Sequence, residues 1–145
     1  MSTFRRFEEI EVWQTARELA KAVYQATGQG ALAKDFGLKD QLRRAAVSVM
    51  SNIAEGFENQ TLAQFISYLY RARGSAGEIR SQLYVALDTG MLPAADFERL
   101  ASLSESCSRQ LAKFIAYLES QRDHGRLRES QAPYSIELPT SGSSG

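Results

Sequence analysis

The sequence predicts an all-α fold, an up-down-up-down antiparallel four-helix bundle with a disordered C-terminal tail. Three observations carry that prediction. Apolar residues recur at steps of three and four through four separate stretches, the spacing that lines one side of a helix. No strand-like alternation competes with them, and no internal repeat is evident. The links between the last three stretches are short, which favours antiparallel neighbours. A chain of 145 residues, 43% hydrophobic and 23% charged, suits one soluble domain. Residues 1–121 are assigned to the bundle and 122–145 to a flexible tail.

Taken in order, residues 1–6 read as a loose arm. The first helix is expected over 10–26, with Val12, Ala16, Leu19, Val23 and Ala26 as its core stripe. Trp13, Ala20 and Tyr24 flank that stripe, and Trp13 reads as a core or interface anchor. Gly28 and Gly30 end the helix by supplying left-handed backbone. Residues 31–37 connect, with Phe36 and Leu38 expected to pin the connection to the bundle. The second helix is expected over 39–57. Thr61 and Gln64 have the form of a capping box. The third helix then runs to about residue 89, with Leu62, Phe65, Leu69, Ala72, Ala76, Ile79, Leu83 and Ala86 on its core side. Gly90 stops it, and Pro93 suits the first turn of a fourth. Phe97, Leu100, Ser104, Cys107, Leu111, Phe114 and Leu118 then keep the alternating steps of coiled-coil-like packing. Beyond residue 121 the periodicity fails, and the chain carries Pro133 and Pro139 before a Ser/Gly-rich end.

The second helix is the unusual one. Leu42, Ala45, Ala46, Val49 and Ile53 form one apolar stripe, and Val47, Met50, Ala54 and Phe57 a second about 100° away. Gln41, Arg44, Ser48, Ser51, Asn52 and Glu55 fill the remaining arc. A helix apolar over more than half its circumference is buried on two sides. That points to a bundle core on one side and a neighbouring subunit on the other, or else to the central helix of a monomer.

The stretch LRRAAVSVMSNIAEGF, at 42–57, also resembles the core motif of the bacterial four-helix bundle proteins of intervening sequences in large-subunit rRNA genes. FEEIEVWQTARELAKAVY at 7–24 and YRARGSAGEIRSQLYVA at 70–86 match in the same order, so the resemblance covers roughly 7–121. Met50 departs from it, standing where a small residue or proline is expected. A relative of that family is the accessory variability determinant of diversity-generating retroelements. The resemblance implies a ring-forming homo-oligomer, with a pentamer as precedent, and an association with RNA or an RNA-handling protein such as a reverse transcriptase. Those retroelement relatives are markedly basic.

Seventeen basic residues here balance seventeen acidic ones, which argues against unspecific coating of nucleic acid. The single histidine, His124, falls in the expected tail and has nothing to hold it against a nucleophile. One His and one Cys make no typical zinc site, there is no Glu-x-x-His pair for a di-metal bundle, and no phosphate-cradling loop motif occurs. The reading is therefore non-enzymatic, with no cofactor and no metal. Cys107, the single cysteine, reads as a packed core thiol. No signal peptide or membrane-length apolar segment is recognisable, which makes the cytoplasm the default and a membrane partner unexpected.

Binding candidates remain. Arg43 falls within the second apolar stripe, where an unpaired guanidinium is costly, and Glu78 is its expected ion-pair partner across the second and third helices. Ser48, Asn52 and Glu55 are expected to satisfy backbone or cross-helix hydrogen bonds. Gly74 and Gly77 each cost about 1 kcal/mol in a helix interior relative to alanine, which close approach of another helix would offset. Arg43, Arg44, Arg71, Arg73 and Arg80, interleaved with Tyr68, Tyr70 and Tyr84, are candidate phosphate contacts. The working function is a ring-forming assembly module that engages RNA or an RNA-processing protein. The rival is a protein-binding oligomer without nucleic-acid affinity, and a small-molecule binder stands third.

Overall fold

The computed structural model describes residues 4–59 and 61–125. Four helices make up the bundle: α1 (Glu11–Thr27), α2 (Phe36–Glu58), α3 (Leu62–Asp88) and α4 (Ala94–Gly125). Short 3-10 turns at Phe7–Glu9 and Leu32–Lys34 precede α1 and α2. Each helix packs on its sequence neighbours and α4 closes on α1. There is no strand among the described residues.

The helix ends follow local chemistry. Thr61 caps α3 by accepting the Gln64 N–H at 3.1 Å, the forward half of the expected box. At the other end of α3, Met91 N–H reaches Ala86 O and Gly90 N–H reaches Leu87 O, with Gly90 at φ +73°. This is the paired closure in which a left-handed residue turns the chain away from a helix. Three expectations at the helix ends need correction. The cap of α2 is Asp35, which accepts the Leu38 N–H at 3.0 Å, so α2 starts at Phe36. Phe36 pins nothing: its ring is 76% exposed, and Leu32 is the buried residue of this connection. Gly28 has φ −90° and is not left-handed; only Gly30 of that pair is. At the far end α4 continues to Gly125, and the tail expected beyond it lies outside the described residues.

The core is where periodicity placed it. Leu42, Ala45, Ala46, Val49 and Ile53 of α2 are buried, as are all eight expected core positions of α3. The heart of one end is aromatic. Phe65 meets Phe57 and Phe114 edge-on at 6.1 and 5.7 Å, and Phe114 meets Phe4 at 6.0 Å. Such edge-to-face pairs add about 0.5–1.5 kcal/mol beyond their burial. Phe4 therefore ties down the arm that was expected to be loose from residue 4 on.

Gly56 is the tightest point. A Cβ there would lie 2.7 Å from Tyr68 Cβ and 2.9 Å from Phe65 Cδ1, closer than atoms pack. The α2 and α3 backbones thus meet through a residue without a side chain. Gly74 and Gly77 differ, since a Cβ at either meets nothing within 4 Å. The close approach expected there does not occur within the chain.

Two predictions follow from this packing. Gly56→Ala should destabilise by about 1–3 kcal/mol, as overpacking does, measured by urea unfolding; an unchanged midpoint would refute the tight contact. Cys107 is buried, and burial, then Glu18, pushes its thiol up to about 12. A raised pKa keeps the proton on the folded thiol longer than on the unfolded one. Its stabilisation is intact below about pH 8.5, the unfolded value, and is lost as pH rises toward about 12. A thiol reagent should accordingly react with the native protein far more slowly than with the denatured chain.

Candidate functional site

The arc of α2 that faces α3 carries a polar ladder. Gln82 donates to Gln41 at 3.3 Å, Ser48 and Ser75 share a bond of 2.9 Å, and the Tyr68 hydroxyl donates to Glu55 at 3.4 Å. Each step of seven forward on α2 is matched by a step of seven back on α3. Seven residues is close to two turns, so the three rungs stay on one seam of an antiparallel pair. Asn52 braces the middle rung, donating to Ser48 O at 2.8 Å and Ser48 Oγ at 2.9 Å. Ser48, Asn52 and Glu55 make the cross-helix and backbone bonds expected of them.

The ladder sets the register, and the register corrects the ion pair. The rungs put Arg43 level with Arg80, not with residues 73–76. Arg43 also lies 100° around the helix from Arg44, on the side toward α1. There its Nε donates to Thr27 Oγ1 at 2.8 Å and its Nη2 to Tyr24 O at 3.2 Å, with the guanidinium 4.3 Å from the Tyr24 ring centroid. Thr27 is buried and passes its own proton to Val23 O at 2.7 Å. Arg43 therefore fastens α1 to α2 and does not pair with Glu78. Gly28 lies alongside: a Cβ there would stand in ordinary contact with Arg43 Nη2, at 3.6 Å, and more tightly against Tyr24 O, at 3.2 Å. It is Arg44 that shares a cleft with Glu78, about 270 Å³ in volume and lined also by Gln41, Ala45 and Ser48. Arg44 itself bridges to Asp40 at 3.0 Å, with both side chains in solvent, a pairing worth about 0–1 kcal/mol.

The five arginines do not form one patch within the chain. Arg43 is on the α1 seam. Arg44 and Arg71 border the α3 seam of α2, with Arg71 stacked 4.7 Å from the Tyr68 ring. Arg73 and Arg80, one heptad apart, lie toward α4. There the exposed Tyr70 hydroxyl donates to Glu119 at 3.0 Å. That bond raises the Tyr70 pKa, while Arg73 and Arg122 pull against it.

The second stripe of α2 is only partly covered. Val47 is 41% exposed, and Met50, Ala54 and Phe57 are half-buried, with Phe57 leaning on Phe65. Across α1, Trp13 is half-buried against Phe7 and Tyr24 is exposed. These side chains lie along the α1/α2 seam, with Arg17 over the Trp13 ring at 5.8 Å and Arg43 over that of Tyr24. Among the described residues no group of three or more His, Cys, Asp or Glu is placed to hold a metal ion, and no helix is long and apolar enough to cross a membrane.

The partners of Arg43 were not legible in the sequence, because Thr27 and Tyr24 looked like ordinary helix-end residues. The ladder had a signal: polar residues at 41, 48 and 55 on an otherwise apolar helix, and at 68, 75 and 82 on the next.

Known proteins match this architecture. The family model described as 23S rRNA-intervening sequence protein matches residues 8–113. A solved structure from Bacteroides thetaiotaomicron, described as a protein with unknown function from the S23 ribosomal protein family, superposes with a TM-score of 0.66. It is 24% identical, and the match covers 72% of this chain and 97% of that one. No curated protein matches.

A mutant cycle separates the two pairings of Arg43. Arg43→Ala should cost about 1–3 kcal/mol through the lost charged hydrogen bonds to Thr27 and Tyr24, while Glu78→Ala stays within about 0.5 kcal/mol. In denaturant unfolding the double mutant should equal the sum of the two. A coupling above about 1 kcal/mol would restore the Arg43–Glu78 pair.

Proposed function

The chain belongs to the 23S rRNA-intervening sequence protein family, and from that premise we propose a non-enzymatic assembly module that closes into a homo-oligomeric ring. The observation that carries the reading is the second stripe of α2. Val47 is 41% exposed beside half-buried Met50, Ala54 and Trp13, and apolar side chains grouped on one face in this way suit an interface. Gly74 and Gly77 supply the complementary surface. Their positions on α3 are open, so a neighbouring helix can approach the backbone there at the place where two helix-weakening glycines need a compensating contact. The two surfaces lie on different sides of the bundle. Contact between unlike surfaces is head-to-tail, and head-to-tail association with a closing rotation gives a ring. Five copies is the count implied by the family resemblance.

Such a ring repeats Arg44, Arg71, Arg73 and Arg80 around its circumference. Repetition is what supports RNA, or an RNA-handling protein, as its partner. Separate arginines on one neutral copy add little, whereas phosphate contacts from several copies accumulate through counterion release. The rival remains a protein scaffold without nucleic-acid affinity.

Light scattering at micromolar concentration should give a multiple of the 16.1 kDa chain mass. Val47→Asp and Gly77→Leu should each reduce the particle to one chain while leaving the circular dichroism unchanged. A monomeric wild type overturns the assembly reading. For the RNA partner, affinity for a structured RNA should fall steeply as salt is raised, and absence of binding at low salt leaves the scaffold.

A further inference from the structure

An open cleft of about 520 Å³ lies at the start of α2, lined by Phe36, Gly37, Lys39, Asp40 and Arg43. That volume falls within the range of about 300–1,000 Å³ typical of small-molecule sites. Lys39 and Arg43 are four residues apart and so share a side of the helix. Arg43 is already fixed by Thr27 Oγ1, Tyr24 O and the Tyr24 ring. Those bonds use two of the guanidinium's five N–H groups and leave its planar fork oriented. A pre-oriented donor loses less freedom on binding. The lining carries two cations, Lys39 and Arg43, against one carboxylate, Asp40, which bridges to Arg44 at 3.0 Å.

The remaining wall is aromatic. Phe36 is the most exposed large apolar side chain among the described residues, and Lys39 Nζ stands 5.9 Å from its ring centroid. A phenyl ring left in water beside a cation is a stacking surface for the flat ring of a ligand that also carries an anionic group. Gly37 keeps the space between them open, since a Cβ there would approach only Asp35 Oδ1, at 3.8 Å.

We propose that this cleft binds a nucleotide phosphate, with the phosphate on Arg43 and Lys39 and the base on Phe36. The residues all belong to one copy, and none of them is among the arginines on α3. A free mononucleotide and the 5′-phosphate end of an RNA strand present the same chemistry.

The test titrates the full chain with uridine monophosphate, followed by calorimetry, with uridine, inorganic phosphate and a short 5′-phosphorylated RNA as comparisons. The monophosphate should bind saturably and uridine at least ~10-fold more weakly. Phe36→Ala should lose ~10-fold, the scale of one base–aromatic stack, and Lys39→Met a similar factor. Both side chains lie at the cleft surface, so their variants keep the fold, which circular dichroism verifies; Arg43 is left intact because it joins α1 to α2. Tighter binding of the RNA in a Lys39-dependent manner identifies a strand end as the ligand, and equal binding identifies the free nucleotide. The proposal is overturned if there is no saturable binding at millimolar monophosphate. It is equally overturned if uridine or inorganic phosphate binds as tightly as the monophosphate, or if both variants bind like wild type.

Discussion

The approach of α2 to α3 at Gly56 is the constraint on which the rest of the bundle depends. With a Cβ excluded at 2.7 Å from Tyr68, the two backbones are held near enough for short side chains to span the seam. Ala45 and Ala46 on α2, and Ala72 and Ala76 on α3, are buried beside it. Only at this spacing can two serine hydroxyls, Ser48 and Ser75, meet directly at 2.9 Å. Apolar stripes alone tolerate slippage by a turn, since one methyl packs much like another. The central hydrogen bond resists sliding, because displacing Ser48 from Ser75 leaves hydroxyls unpaired in a partly buried seam, while the two outer rungs are exposed to water. The ladder thus converts close packing into a single register.

Each of the other seams carries one polar fastening of its own. Arg43 to Thr27 joins α2 to α1, Tyr70 to Glu119 joins α3 to α4, and Gln110 to Thr15, at 3.0 Å, joins α4 to α1. The α1/α2 fastening has the most consequences. It places a guanidinium without using a carboxylate, so the positive charge is kept rather than neutralised. The same arrangement that holds two helices together leaves a cation facing the cleft above it. Burial energy resides in the apolar stripes, and these four contacts decide the orientation in which it is realised.

The outer surface divides along the same lines. The α2/α3 seam is polar and spanned by its ladder, although Gln82 Oε1 is buried without a partner, whereas the α1/α2 seam keeps apolar side chains partly exposed. Membership in the intervening-sequence family supplies the fold and no chemistry, and the likeness to the Bacteroides thetaiotaomicron structure likewise speaks for fold alone. The case for assembly therefore rests on Val47, Met50 and Ala54 opposite open glycines on α3. The case for a ligand site rests on Phe36, Lys39 and Arg43.

The sequence by itself determined the four helices, the core positions on each and the cap at Thr61, because these depend on contacts within a few residues or on periodicity along one helix. It also contained the polar ladder as two heptad-spaced series. Tertiary structure decided what those series meet. Glu78 is not the partner of Arg43 because Arg43 turns toward α1, where Thr27 and Tyr24 take its hydrogen bonds. At Gly56 the fold makes room for a second backbone, a demand that no local pattern announces. Periodicity is a property of one helix, whereas the partner of a long side chain depends on rotation and register between two, and those are fixed only when the helices pack.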